Sequence, residues 1–173
     1  MDKKLEKALN GQLNFELYSA YIYLSMSAYL EAENLPGSSH WMNMQIQEEL
    51  LHVGKLFNFL NERSVKVNLE AVDKPPAKFS SMEDVFKKTL AHEQVVTTRI
   101  NNLYSLAEKT GDNATKIFLQ WFINEQVEEE KAATDVLGKL KHIKSQPAGI
   151  LILDNELATR PQPVLSPAAD TKL

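Results

Sequence analysis

Cysteine is absent from the 173 residues, which excludes disulfide staples, thiolate metal ligands and a thiol nucleophile. Long apolar runs are missing too. The most apolar early stretch, Leu17 to Leu30, is too short for a membrane span and carries Ser and Tyr throughout. The beginning of the chain lacks the basic, cleavable frame of a signal peptide. Basic charge is not in excess: the formal net charge is −4, which argues against a nucleic-acid surface with its clustered Lys and Arg. A cytoplasmic protein that binds neither membrane nor nucleic acid is expected. With 43% hydrophobic residues, a chain of this length fits one domain with a substantial core.

What is present is helical periodicity. Residues three and four apart share one helix face, and an alternation of those steps marks a bundle seam. One seam reads Leu9, Leu13, Glu16, Ala20, Tyr23, Ser27, Leu30, and a second Met42, Ile46, Glu49, Val53, Leu56, Leu60. A third reads Phe86, Leu90, Glu93, Thr97, Ile100, Tyr104, Ala107, and a fourth Leu119, Phe122, Gln126, Glu129, Ala133, Val136, Leu140. Each seam is interrupted about halfway by an acid, so the interruptions share one level whichever way a helix runs. An isolated carboxylate in an apolar interior costs many kcal/mol unless it is paired, neutralised or coordinated. Lys and Arg lie mostly near the helix ends and on outer faces, which leaves metal ions as the simplest counter-charge for four acids at one level.

The spacing predicts helices over 3–33, 38–64, 82–110 and 113–145. Asn34, Pro36, Gly37 and Ser38 separate the first pair, and Thr110, Gly111, Asp112 and Asn113 the last. Such short links make each pair antiparallel. From Arg63 to Ser81 the pattern changes to alternating Val65, Val67, Leu69 and then Asp73, Lys74, Pro75, Pro76, which reads as extended chain. About seventeen residues at roughly 3.3 Å each reach about 55 Å, more than the roughly 40 Å of a 27-residue helix. The segment is long enough to cross the bundle and leave the second and third helices parallel. After a loop at Ser145 to Pro147, the run Ile150, Leu151, Ile152, Leu153, Leu157 predicts a short fifth helix with more apolar surface than the bundle covers, a sign of oligomerisation. The domain is expected to span 1–159, with a disordered tail over 160–173 that contains Pro161, Pro163 and Pro167.

The two hairpins look like related halves. Glu16 and Glu49 lie 33 residues apart, as do Glu93 and Gln126, and this repeat superposes His52 on Glu129. Glu49 and His52 form a Glu-x-x-His step, which presents both side chains to one ion. The second half offers Gln126 and Glu129 where a symmetric site would have Glu and His. One ion then falls to Glu16, Glu49 and His52, the other to Glu93, Glu129 and a shared Glu49. Oxygen ligands with a single imidazole suit iron or manganese, and a carboxylate-rich set favours the trivalent state.

The stretches Asn14-Phe15-Glu16-Leu17-Tyr18-Ser19-Ala20-Tyr21, Gln47-Glu48-Glu49-Leu50-Leu51-His52 and Phe118 to Glu130 resemble the haem-free prokaryotic ferritins, and the similarity extends through Leu157. The resemblance implies an all-α, ferritin-like four-helix bundle with one long crossover. It implies a ferroxidase centre with Glu16, Glu49 and His52 at one iron, Glu49, Glu93 and Glu129 at the other, and Gln126 nearby as a hydrogen-bonding or weak ligand. A third iron position matches Glu48, Glu125, Glu128 and Glu129. Tyr23 matches a tyrosine beside the centre that donates an electron, and Trp121 a nearby aromatic. The implied activity is oxidation of Fe²⁺ by O2 or H2O2, with storage of Fe³⁺ as a mineral inside a hollow homo-oligomer of 24 subunits, without haem.

Other readings make different demands on the chain. A rubrerythrin-like peroxidase brings a Cys-ligated module, which this chain cannot supply, and a haem-carrying bacterioferritin should repeat Glu-x-x-His. A starvation-type DNA-protecting cage places its ligands between subunits. A non-storage di-iron oxidase remains the alternative. His40, His92 and His142 have no carboxylates at matching spacing and are expected at the surface or at caps, and Met26, Met42 and Met44 as core filling.

Overall fold

The computed structural model describes residues 1–143 and 146–163. Four long helices, α1 (Lys3–Ala32), α2 (Pro36–Glu62), α3 (Met82–Lys109) and α4 (Asn113–Ile143), precede a short α5 (Pro147–Leu157). The expected helix end at 145 and the tail beyond 163 lie outside the described residues. Among the described residues, no helix is long and apolar enough to cross a membrane.

The helix ends follow from local chemistry. Asp2 caps α1 by accepting from the backbone N–H groups of Lys4 and Leu5, and Ser81 caps α3 through the N–H of Asp84. Helix α2 begins at Pro36 rather than at the expected 38. Proline at the first helical position has no N–H to leave unpaired and its φ is already helical, so the residue read as a breaker is the starter. Helix α2 has no side-chain cap of its own. Asp154 of α5 supplies one: its carboxylate accepts from Gly37 N at 3.0 Å, Ser38 N at 2.7 Å and Ser38 Oγ at 2.7 Å. Gly37 makes this approach feasible, because a Cβ there would stand 1.7 Å from the Asp154 carbonyl oxygen.

Helices α1 and α2 pack as one hairpin and α3 and α4 as another, with α1 against α3 and α5 against α2 and α4. The crossover lies along α1, held by two asparagines. Asn10 donates to Lys66 O and accepts from Asn68 N, and Asn14 donates to Asn68 O and accepts from Glu70 N. Four helical residues rise about 6 Å and two extended residues about 6.6 Å, so asparagines one turn apart match every second crossover residue. Ser25 then donates to Pro76 O at 2.6 Å, further up α1. The crossover therefore climbs beside α1 and delivers α3 parallel to α2, as its length predicts.

The core falls into two apolar clusters. Leu5, Leu9, Leu13, Leu56, Leu60, Ile100, Leu119 and Phe122 belong to one; Met26, Leu30, Trp41, Met42, Phe86, Val136 and Leu153 belong to the other. Between them lies a buried polar layer of Gln12, Glu16, Ser19, Gln45, Glu49, His52, Glu93, Gln126 and Glu129. Leu151 and Ile152 of α5 stay 58% and 71% exposed, the uncovered apolar surface expected there.

Two further expectations need correction. Arg160, placed at the head of a disordered tail, is packed. Its guanidinium lies 2.6 Å from Glu48 Oε2 and 4.2 Å over the Trp41 ring, and its carbonyl is 2.9 Å from His40 Nε2. The charge and planar face of arginine hold the segment to α2. His92, expected at the surface or a cap, is largely buried, stacked on Phe15 and edge-on to Tyr23. Its missing carboxylate partner is replaced by Ser19 Oγ at 2.8 Å. The same hydroxyl lies 3.1 Å from Phe15 O, which ties the imidazole to the α1 backbone.

Candidate metal centre

Each long helix delivers an acid to the polar layer because a seam position carries Glu where its neighbours carry Leu, Phe or Met. Glu16, Glu49, Glu93 and Glu129 are all buried, as are His52 and Gln126. Donor atoms of Glu16, Glu49 and His52 lie within 4.8 Å of one another, as do those of His52, Glu125 and Glu129. These are the groups among the described residues that are arranged to hold a cation. Buried Glu16 Oε2 and Glu49 Oε2 have no hydrogen-bond partner; Glu49 Oε2 is 3.4 Å from His52 Nδ1 without the alignment of a hydrogen bond. A buried carboxylate oxygen without a partner is costly unless a cation or proton meets it.

The electrostatics agree with the geometry. Burial, reinforced by the charges of Glu16, Glu93 and Glu129, raises the Glu49 carboxyl well above its ordinary range. Burial pushes Glu93 up to about 7, against hydrogen bonds from Tyr23 and Gln126. Burial and the charge of Glu93 push Glu129 up to about 8. Without a cation the layer therefore holds protons at neutral pH, and a cation displaces them.

The second expected set, Glu49, Glu93 and Glu129, is less assembled. Glu93 Oε1 accepts from the Tyr23 hydroxyl, and Oε2 accepts from Gln126 Nε2 at 3.1 Å. Glu93 also stands outside both donor groups. Gln126 also donates to Glu93 O at 3.2 Å. Burial and the Glu93 charge raise the Tyr23 hydroxyl well above its ordinary value, which keeps it a phenol.

The residues expected at a third position divide. Glu125 is half-buried beside His52 and Glu129, Glu128 is exposed, and Glu48 is engaged by Arg160. Trp121 meets the His52 ring edge-on at 5.5 Å, with Lys55 Nζ 4.2 Å over its own ring.

Sequence reasoning missed the amides that hold the acids. Gln12 donates to Glu16 Oε1 at 2.9 Å, and Gln45 donates to Glu129 Oε2 at 2.8 Å. Each sits one turn before a seam glutamate, so helical spacing places both on the buried face. Arg99 was missed too: from the half-buried edge of α3 it reaches Gln12 Oε1 at 2.9 Å.

Comparison with known proteins agrees with this geometry. Residues 6–143 match the family model described as a ferritin-like domain. The bacterial non-heme ferritin of Staphylococcus aureus (strain MRSA252) is 37% identical over 160 residues, covering 92% of this chain and 96% of its own. A probable bacterial non-heme ferritin-like protein of Haemophilus influenzae is 32% identical over 157 residues, covering 91% and 95%. Among solved structures, the open pore ferritin of Archaeoglobus fulgidus superposes with a TM-score of 0.92 at 45% identity, covering 93% of this chain and 99% of that one. The half-parallel bundle, its level of buried acids and these likenesses lead to one conclusion: the chain belongs to the ferritin family.

Proposed function

We propose that this chain is an iron-storage subunit that oxidises Fe²⁺ between its four helices and passes Fe³⁺ to a mineral inside a homo-oligomer. The observation that carries the reading is the trio Glu16, Glu49 and His52, fully buried with donor atoms within 4.8 Å and two carboxylate oxygens unpartnered. Iron is the substrate. Glu16, Glu49 and His52 hold one Fe²⁺, and Glu49, shared, joins Glu93 and Glu129 at the other. With dioxygen the pair gives up two electrons: 2 Fe²⁺ + O2 + 2 H⁺ → 2 Fe³⁺ + H2O2. Peroxide takes the same two electrons and, with two protons, becomes water. Tyr23, a buried phenol bonded to Glu93, is positioned to supply a further electron.

The two ion positions differ in a way that suits transit. The second lacks an imidazole of its own, and Glu125, beside His52 and Glu129, offers a next carboxylate. Together with Glu128, Glu129 and Glu48, once Glu48 leaves Arg160, it forms a third iron position on the way out. The exposed apolar side chains of Tyr21, Leu24, Leu50, Phe57, Leu151 and Ile152 support assembly with further copies, and we infer the 24-subunit cage. A cytoplasmic setting fits a chain without cysteine. The absence of a second Glu-x-x-His fits a haem-free protein.

The test is stopped-flow oxidation of Fe²⁺ by the Glu49→Ala and His52→Ala variants. Both are expected to lose the fast aerobic phase while still assembling, and wild-type rates in either would defeat the assignment. Iron retained per assembled particle separates storage from a non-storage oxidase, which would hold only a few ions per chain.

A further inference from the structure

We infer that Arg99 and Gln12 form a positioning relay that locks Glu16 and makes the Glu16, Glu49 and His52 position the tighter of the two. The inference rests on the dinuclear reading above and goes further by ranking its halves.

Gln12 is 1% exposed and lies one turn before Glu16 on α1. Its Nε2 is 2.9 Å from Glu16 Oε1, and its Oε1 is 2.9 Å from Arg99 Nε. Arg99 is fixed in turn by Gly11 O, 3.0 Å from its Nη2, and by the Phe15 ring 4.0 Å beneath its guanidinium. Arginine has only donors and a carboxylate only acceptors. The Gln12 amide between them therefore has one workable orientation, oxygen toward Arg99 and nitrogen toward Glu16. A flip would set donor against donor and acceptor against acceptor. Glu16 is thus held by one oxygen, and Oε2 stays buried and free for a cation.

No such lock exists in the other half. Gln45 donates to Glu129, but its own buried oxygen has no partner, so no second group anchors it as Arg99 anchors Gln12. Gln126 divides its amide among Glu93 O, Glu93 Oε2 and Thr97 Oγ1. Glu93 has neither oxygen free, since Tyr23 and Gln126 take both. A cation at the Glu16 position meets a carboxylate already oriented, whereas one at the Glu93 position first breaks hydrogen bonds. Preorganised ligands bind more tightly because less ordering remains to be done.

The experiment is calorimetric titration of the iron-free, assembled protein with Zn²⁺, a divalent probe without redox chemistry. The wild type is expected to bind in two steps per chain. Arg99→Met and Gln12→Leu should weaken the first step about 10- to 100-fold and leave the second within about twofold, and Arg99→Lys should restore part of the loss. Arg99 borders an open cavity of about 480 Å³ with Lys4, Lys7 and Gly11, so its replacement leaves the packed core intact even if Gln12→Leu does not fold. Equal weakening of both steps, or no change in either, would overturn the relay. A wild type that takes up no Zn²⁺ between its helices would instead defeat the dinuclear reading beneath it.

Discussion

The Tyr23 hydroxyl donates to a carboxylate oxygen of Glu93, joining the middle of α1 to the middle of α3 inside the polar layer. The bond gives the phenol a fixed partner and takes up one of the oxygens Glu93 needs to hold a cation. Replacing Tyr23 by Phe removes the donor and leaves its apolar packing in place. Loss of a buried hydrogen bond to a potentially charged group costs about 1–3 kcal/mol, so the iron-free variant should melt a few degrees lower. The phenoxyl radical signal in samples frozen during aerobic oxidation should disappear. A radical that persists in Tyr23→Phe would assign the electron to another side chain.

The raised carboxyls predict a pH dependence of stability. Glu93 at about 7 and Glu129 at about 8 lie above the unfolded value of about 4.3, so the folded iron-free protein binds more protons than the unfolded chain between those limits. Their contribution to stability is full below about pH 4.3 and is lost as pH rises through 7 and 8. His92 acts in the opposite sense: burial holds it down at about 4, so its contribution is present above about pH 6.5 and lost as pH falls through 4. Between about pH 6.5 and 8.5 the carboxyls alone set the slope. Calorimetric melting should show the iron-free protein losing stability across that window, and a protein loaded with Zn²⁺ should show a flattened slope. Rising stability of the iron-free form would contradict the protonated layer.

Asp154 predicts how α5 is held. Its carboxylate takes two backbone N–H groups and a hydroxyl at the start of α2, and Asp154→Ala leaves those buried donors unpaired at a cost of about 1–3 kcal/mol each at most. Gly37→Ala should damage the same joint by contact with the Asp154 carbonyl. Hydrogen exchange across 147–157 should accelerate in both variants while exchange at the centre of α1 stays slow. Unchanged protection of α5 would show that its apolar contacts suffice.

The bundle and its level of acids were legible because both depend on periodicity. The seams of α1 and α4 point inward as their spacing predicts. The third seam is partly shifted: Thr89, Val96 and Leu103 are buried, whereas Leu90, Thr97 and Tyr104 are half-buried. Both registers share Phe86, Glu93, Ile100 and Ala107, one heptad apart, so the acid's position survived the error in its neighbours. The arrangement around the acids was less legible. That Glu48 pairs with Arg160, 112 residues away, and that Gln45 serves Glu129 rather than its own helix neighbour Glu49, depend on how helices rotate against one another. Spacing within one helix carries no information about that rotation. The asparagine ladder that seats the crossover was hidden for the same reason.

The most direct test is anomalous diffraction from crystals of the iron-free protein soaked anaerobically in Fe²⁺. Two peaks are expected between the four helices, one bounded by Glu16, Glu49 and His52 and the other by Glu49, Glu93 and Glu129. A bundle centre without metal, its glutamates still protonated or turned away while iron collects elsewhere, would contradict the account.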